Sequence, residues 1–426
     1  MRIQDWPLRN YSSARVDLER VRDNRMETFL NFLERVLIWF FAVLFAVILA
    51  YGLMRYNRHQ TSESDPWIRA EREGTAEAYM KFLKACDACA QKEAAQRKLD
   101  DLQKAQGLVS RLSAAGITGR EGITRPVFSS DGHLVLAMGG SLPRLWNAES
   151  GEKDSMGEAL FAKIGKTMLN SVDISPDGHN LVGGGPGRQS GTLVSWDLNS
   201  GSRVGLQEVD GFDVRYVQYS MDGTWVGWMG DGPIGIWNPM ARTFLRATHS
   251  GVQSIAFRSN SEGRPELLTV AGKELMVWEL EHLDPVKRVR IDSDRNLLGL
   301  SRDGKALLYS DASALEVWDS DSEKMVALIR DLKGSVASFC SVPSSSYLLV
   351  GTSEGYVFII DSAQPDIPIG SLEAHEGPIE GLSCSSAGQF VTTSWDSAKI
   401  WSLAKIIRGN PSKESRAAHG NREAIH

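Results

Sequence analysis

The chain repeats one phrase, and the period of that repeat limits what it can fold into. The clearest copy starts at Glu373 and reads EAHEGPIEGLSCSSAGQFVTTSWDSAKIWSL. An apolar strand (Ile379, Leu382, Cys384) leads to a turn at Ala387-Gly388. A second strand (Phe390, Val391, Thr393) is followed by a turn at Asp396, and a third strand closes on Ile400-Trp401. Short strands joined by tight turns make an antiparallel meander. Such a sheet cannot bury both faces alone, so it must stack on copies of itself.

Six further copies precede it. The third strand is marked at Trp146, Trp196, Trp237, Trp278, Trp318, Ile360 and Trp401, at intervals of 50, 41, 41, 40, 42 and 41 residues. The first hairpin turn provides a second mark. It reads SSDG at Ser129 to Gly132, SPDG at Ser175 to Gly178, SMDG at Ser220 to Gly223 and SRDG at Ser301 to Gly304. Asp-Gly tolerates the positive φ that a tight hairpin needs. The turn Gly precedes the closing Trp by 14 residues in three of these copies and by 18 in the second.

These marks resemble those of the WD40 family of β-propellers, over roughly Gly107 to Leu403. The resemblance implies an all-β fold of seven blades. The Trp-Asp pair that names the family stands at Trp196-Asp197 and Trp318-Asp319. The family's hydrogen-bonded tetrad is matched well only in the last blade, by His375, Thr392 or Ser394, Asp396 and Trp401. The other blades lack the His or the Asp, so packing must supply most of their rigidity. A closed ring leaves no exposed sheet edge. A strand within Leu108 to Ile117 is therefore expected to complete the seventh blade from upstream.

The segments before the propeller differ in composition. Residues 1–35 form a charged, helix-patterned tail. Val36 to Met54 is a 19-residue apolar run without a charge, flanked by Arg35 and Arg55. At ~1.5 Å per residue it approaches the ~30 Å hydrocarbon thickness of a bilayer. A signal peptide normally has a shorter apolar core of ~7–15 residues, so a retained membrane anchor is the expectation. Arginines flank the run equally: Arg20, Arg22, Arg25 and Arg35 before it, Arg55, Arg58, Arg69 and Arg72 after it. The positive-inside count is therefore a tie. The expected setting is the inner membrane of a bacterium, with the short tail inside and the propeller in the periplasm.

A linker at 55–65 leads to a helical hairpin at 66–104. Trp67, Ala70, Ala76, Tyr79 and Leu83 recur at helical spacing, and Ala94, Leu99 and Leu102 continue after a break. The stretch resembles one tetratricopeptide-type hairpin. One hairpin cannot bury its own apolar face, so it should dock on the propeller or on another protein. A polar tail, 404–426, ends the chain.

Candidate chemistry is sparse. Cys86-Asp87-Ala88-Cys89 lacks the His of a haem attachment site and the second Cys pair of a zinc site. It reads as a corner of the hairpin, closed by a local disulfide if exported. Cys340 and Cys384 occupy corresponding strands of the last two blades and read as small core residues. Gly165-Lys166-Thr167 ends like a phosphate loop, but Leu160 replaces the required Gly. His133 and His179 follow Asp-Gly turns, and no catalytic motif is present. The expectation is a non-enzyme with no cofactor and no metal. The formal net charge of −6 argues against a nucleic-acid partner.

The turns between second and third strands vary most. Blade two expands this turn into Gly183 to Gly191 (GGGPGRQSG), presenting Arg188 and Gln189. Blade three places Trp228, Met229 and Asp231 there, and blade seven places Trp395. Aromatic and Arg side chains dominate binding hot spots, so these are the candidate protein-binding residues. The reading is a membrane-tethered interaction scaffold. Its alternatives are a ligand-sensing or enzymatic propeller using the central channel, and a transmembrane signalling component.

Overall fold

The protein is described by a computed structural model covering residues 33–51, 65–86, 89–114, 117, 122–129, 131–139, 142–164, 168–187, 190–312, 314–365, 367–395 and 397–409. The charged tail 1–32, Met54, Gly165 to Thr167, Arg188, Gln189, Asp396 and the tail beyond 409 lie outside the described residues. The chain divides into two compact units, residues 1–82 and 83–426.

Within the first unit, helix α1 (Leu33–Tyr51) is the apolar run. Its large apolar side chains are exposed, and its length and composition are those of a membrane span or a signal sequence. Helix α2 (Pro66–Glu73) starts where the Asp65 carboxylate accepts the Trp67 N–H at 2.8 Å, with Pro66 at the first helical position. Gly74, at φ 61°, ends it. Helix α3 (Ala76–Ala85) follows after one turn residue. The Trp67 ring lies 6.1 Å from that of Tyr79 and 5.3 Å from that of Phe82.

The second unit opens with helix α4 (Lys92–Gln106), which buries Ala95, Leu99 and Gln103 at four-residue spacing. Strand β1 (Leu108–Arg111) follows directly. Arg111 donates to Asp100 Oδ1 at 2.6 Å and to Gln103 Oε1 at 2.7 Å, fixing α4 against β1. The expected hairpin is thus three helices, and the third of them belongs to the propeller's unit.

Seven antiparallel sheets make the propeller. Blade one is β2 (Ile123–Phe128), β3 (Leu134–Gly139) and β4 (Leu142–Asn147). Blade two is β5 (Ser171–Ile174), β6 (Asn180–Pro186), β7 (Ser190–Asp197) and β8 (Arg203–Asp210). Blade three is β9 (Val214–Tyr219), β10 (Val226–Gly230), β11 (Pro233–Asn238) and β12 (Thr243–Thr248). Blade four is β13 (Ser254–Ser259), β14 (Pro265–Ala271), β15 (Glu274–Glu279) and β16 (Pro285–Arg290). Blade five is β17 (Asn296–Leu300), β18 (Ala306–Ser310), β19 (Ala314–Asp319) and β20 (Lys324–Arg330). Blade six is β21 (Val336–Ser341), β22 (Tyr347–Thr352), β23 (Tyr356–Asp361) and β24 (Gly370–Glu373). Blade seven is β25 (Gly381–Cys384), β26 (Gln389–Thr393), β27 (Ala398–Ser402) and, as its outer strand, β1. Leu108 pairs with Trp401 and Arg111 with Lys399, so the ring closes through the upstream strand as the sequence led us to expect.

Six of the seven marker residues are buried because they fill the space between stacked sheets, and Trp318 is half-buried. Trp146 and Trp401 are fully enclosed, and Trp196, Trp237, Trp278 and Ile360 nearly so. Each SxDG turn is built alike. The Ser hydroxyl donates to the Asp carboxylate, at 2.6 Å for Ser129 and Asp131, and the turn Gly takes positive φ. Burial pushes the Asp131, Asp177 and Asp222 carboxyls up, but hydrogen bonds from the Ser hydroxyl and the backbone outweigh it. All three end below the usual carboxylate range.

Three features depart from expectation. Among the described residues, blade one has no fourth strand. The 50-residue interval instead holds helix α5 (Ser155–Ile164), capped by Asp154 Oδ1 accepting the Gly157 N–H at 3.0 Å. Leu160 and Phe161 enter the core between blades one and two. In blade two, Gly183 to Gly191 is largely a lengthened β6–β7 hairpin rather than a loop, paired as far as Pro186 with Gly191. Its glycines answer crowding. A Cβ on Gly183 would lie 2.7 Å from Leu169 Cδ1, and one on Gly184 2.5 Å from Val214 Cγ1. Third, Cys340 and Cys384 are not free core thiols. They form a disulfide between the inner strands of blades six and seven, alongside the local Cys86–Cys89 disulfide.

Candidate protein-docking face

Topology divides the ring's two faces. One face carries the first hairpin turns and the turns between third and fourth strands; it is the hairpin face. The other carries the turns between second and third strands and the segments that cross from blade to blade; it is the crossover face.

The candidate residues fall into three groups. Trp228 and Met229 lie within β10, not in a turn. Trp228 is fully buried, with its ring stacked 5.5 Å from that of Phe244, so it is a core residue and cannot touch a partner. Strand alternation explains this, because Val226 and Trp228 point to one face and Val226 is buried too. Met229 is half-buried against the core of blades three and four. Asp231 does stand in the turn, exposed and paired with Arg215 Nε at 2.6 Å. Trp395 is 56% exposed in the turn between β26 and β27.

Trp395 sits on a rigid base. A Cβ on Gly377 would lie 1.8 Å from Trp395 Nε1, so the indole lies directly on the crossover segment into blade seven. Below it, His375 Nε2 and Thr392 Oγ1 are 2.8 Å apart, and Trp401 Nε1 donates to the same hydroxyl at 2.9 Å. Three tetrad members are thus joined, with Thr392 rather than Ser394 in the hydroxyl position. Blade four repeats the chain of bonds, which the sequence reading missed. His249 Nδ1 lies 3.1 Å from Thr269 Oγ1, to which Trp278 Nε1 donates at 2.9 Å. The signal was a His 29 residues before the marker Trp, against 26 in blade seven. Burial holds the His249 ring below its usual pKa, which keeps it neutral at pH 7.

A second exposed aromatic residue was also missed. Phe212, 40% exposed, tips the crossover segment from blade two to blade three. Its ring faces Gly232, whose Cβ would lie 3.4 Å from Phe212 Cε1.

The central channel is bridged near the hairpin face. Arg302, from the first turn of blade five, donates to both Asp173 oxygens in blade two at 2.9 and 2.8 Å. Blades two and five are as far apart as two blades of seven can be, so this side chain crosses the middle of the ring. Asp173 is 1% exposed and also accepts the Tyr219 N–H at 2.6 Å. Gln218 Nε2 donates to the Arg302 carbonyl at 2.8 Å.

Other chemistry is accounted for locally. Glu279, Glu281 and His282 approach one another on an exposed turn, but the Glu279 carboxylate accepts the Glu281 and His282 N–H groups at 2.7 and 2.8 Å. A cleft of about 200 Å³ lies between blades two and three, beside Tyr219, Thr224 and Met240. Sites for drug-sized ligands usually hold ~300–1,000 Å³.

Comparison with known proteins adds one match. The family model for the WD domain, G-beta repeat (WD40), matches residues 367–402. No curated protein sequence matches the chain. The matched stretch includes His375, Thr392, Trp395 and Trp401. The chain is a seven-bladed β-propeller, and the blade that closes its ring carries the stretch that matches the WD40 repeat model.

Proposed function

We propose that this protein is a non-enzymatic, membrane-anchored scaffold that holds a protein partner on its crossover face. The observation that carries the reading is Trp395, a large aromatic side chain left 56% exposed on a rigid blade. Exposed Trp on a fixed backbone loses little entropy on binding and is enriched at hot spots. Asp231 belongs to the same face by topology. The channel reading is disfavoured, because Arg302 and Asp173 already occupy the centre of the ring.

Trp395→Ala tests the docking face. The variant is expected to melt within about 1 °C of the parent, as surface changes usually stay within ±0.5 kcal/mol. Its recovery of membrane partners is expected to fall, since truncating a hot spot commonly costs ~2 kcal/mol or more. A sharply lowered melt, or unchanged partners, would count against the face.

We place the propeller on the periplasmic side of a bacterial inner membrane, with α1 as a retained anchor. Two disulfides suit an oxidising compartment. Alkaline phosphatase fused after Leu403 is expected to be active, and a fluorescent protein that matures only in the cytoplasm is expected to stay dark there. The opposite pattern would reverse the orientation.

A further inference from the structure

We propose that the crossover face, at the junction of blades six and seven, receives an arginine or lysine side chain from a basic segment of its protein partner. The inference rests on the reading of this face as a docking surface and specifies the chemistry that would dock.

Three short segments are locked together around Trp395. Gly377 carries the indole, as described. Gly355, in the turn between β22 and β23, has its Cβ position 2.0 Å from His375 O and 3.0 Å from Gly377 O. Gly334, on the crossover into blade six, has its Cβ position 2.7 Å from Glu354 Cγ. At Gly355 backbone meets backbone and no Cβ fits, while Gly377 and Gly334 are packed under the Trp395 and Glu354 side chains. The result is a closely packed platform beneath Trp395.

The platform is acidic. Glu354 is exposed on the blade-six turn, Glu376 and Glu380 flank Gly377 and Pro378, and Asp331 is exposed on the crossover beside Lys333. The Glu380 N–H donates to Thr393 O at 2.9 Å, which fixes that residue two positions from Trp395. Three exposed carboxylates, Asp331, Glu354 and Glu380, therefore stand here, against the Lys333 ammonium and the buried Lys399, whose Nζ donates to Ala374 O at 2.6 Å. Lys333 is itself engaged, with Nζ 3.0 Å from Tyr356 Oη and 4.3 Å from the centre of the Tyr356 ring. The chain already seats one cation on an aromatic ring at this junction.

An indole face is the best aromatic acceptor for a cation. Surrounding carboxylates add to its negative potential and repel acidic partners. The other exposed aromatic on this face has the same setting. Phe212 is followed by Asp213 and preceded by Asp210 and Glu208, all exposed, while Asp231 nearby is paired with Arg215. Both aromatic contacts on the face thus sit among acids, which fits a basic partner better than a neutral or acidic one.

The test uses the full chain in detergent and three labelled peptides of equal length, alternating alanine with arginine, citrulline or glutamate. Citrulline keeps the shape of arginine without its charge. The arginine peptide is expected to bind at least ~10-fold more tightly than either of the others, and to weaken as salt rises from ~50 to ~500 mM. Trp395→Ala and the triple change Asp331→Asn, Glu354→Gln, Glu380→Gln are each expected to weaken it by ~10-fold or more with unchanged melting. Equal binding of the citrulline peptide, or arginine binding indifferent to both variants, would overturn the proposal. A photo-crosslinking residue in place of the exposed Pro378, beside the intact Trp395, separates the two readings. Cross-linked partners that survive the triple charge removal would sink the cationic inference but leave the docking face standing. No cross-linked protein at all would remove both.

Discussion

A chain lacking residues 105–118 is expected to lose its monomeric, cooperatively melting propeller and to unfold or oligomerise. The deletion removes β1, the outer strand of blade seven, and leaves β27 with an unpaired edge. It also removes Leu108 and Leu112, both buried, at about 1.5–3 kcal/mol each. Three anchoring hydrogen bonds go with them. Leu112 N–H donates to Ala398 O at 2.9 Å, Ser110 Oγ to Ala148 O at 2.6 Å, and Trp146 Nε1 to Ser113 O at 2.9 Å. The last two tie blade seven's outer strand to blade one, so the seam opens on both sides. Light scattering after size exclusion, with a thermal melt, reads the outcome. A monomer that melts like the parent would show that the ring closes without β1.

Arg302→Ala is expected to destabilise the propeller by about 1–3 kcal/mol, because it strands a buried carboxylate, although the Arg302 side chain itself is 36% exposed and water can enter in its place. Asp173 would keep the Ile174 and Tyr219 N–H groups at 2.9 and 2.6 Å but lose its only guanidinium among the described residues. Adding Asp173→Asn removes the stranded charge, and the double variant should recover part of the loss. Non-additivity of this kind is what contact between the two groups requires. Urea unfolding of the two single variants and the double variant measures it. Additive losses would mean that the pair across the channel does not form.

The fold was legible because stacking imposes a period. Six of the seven meanders carry a Trp at the same place and four carry the same tight turn, so Trp146 to Trp401 and the four SxDG turns announced the blades. Closure followed from the edge problem alone. What the sequence hid was of two kinds. Some signals were local and overlooked. Strand alternation in Val226-Gly227-Trp228 already placed Trp228 with the core, and Asp154 before an apolar decade was a start for α5. Other features are tertiary. Gly183 to Gly185 read as a loop by composition, yet they are strand residues crowded by Leu169 and Val214. Cys340 and Cys384, 44 residues apart, meet only because consecutive blades stack inner strand on inner strand. Arg302 and Asp173 are 129 residues and three blades apart, and no local pattern points from one to the other. For the candidate site, Trp395 was legible as a residue. Its support on Gly377 and the companion Phe212 were not, because both depend on how crossover segments abut.

The junction of α4 with β1 also sets the mechanics of the molecule. Gly107 alone separates the helix from the strand that closes the ring. Any pull arriving along the chain from the N-terminal side therefore loads the clasp first. Arg111, gripping Asp100 and Gln103, acts as a strain relief at that point. Beyond it, force along β1 would shear its ladder with β27, whose bonds share the load, rather than peel them one at a time. A propeller wired in this order resists tension up to a threshold. Above that threshold the first element to yield would be the clasp, opening the ring at blade seven, where the exposed Trp395 and the His375 bond chain reside.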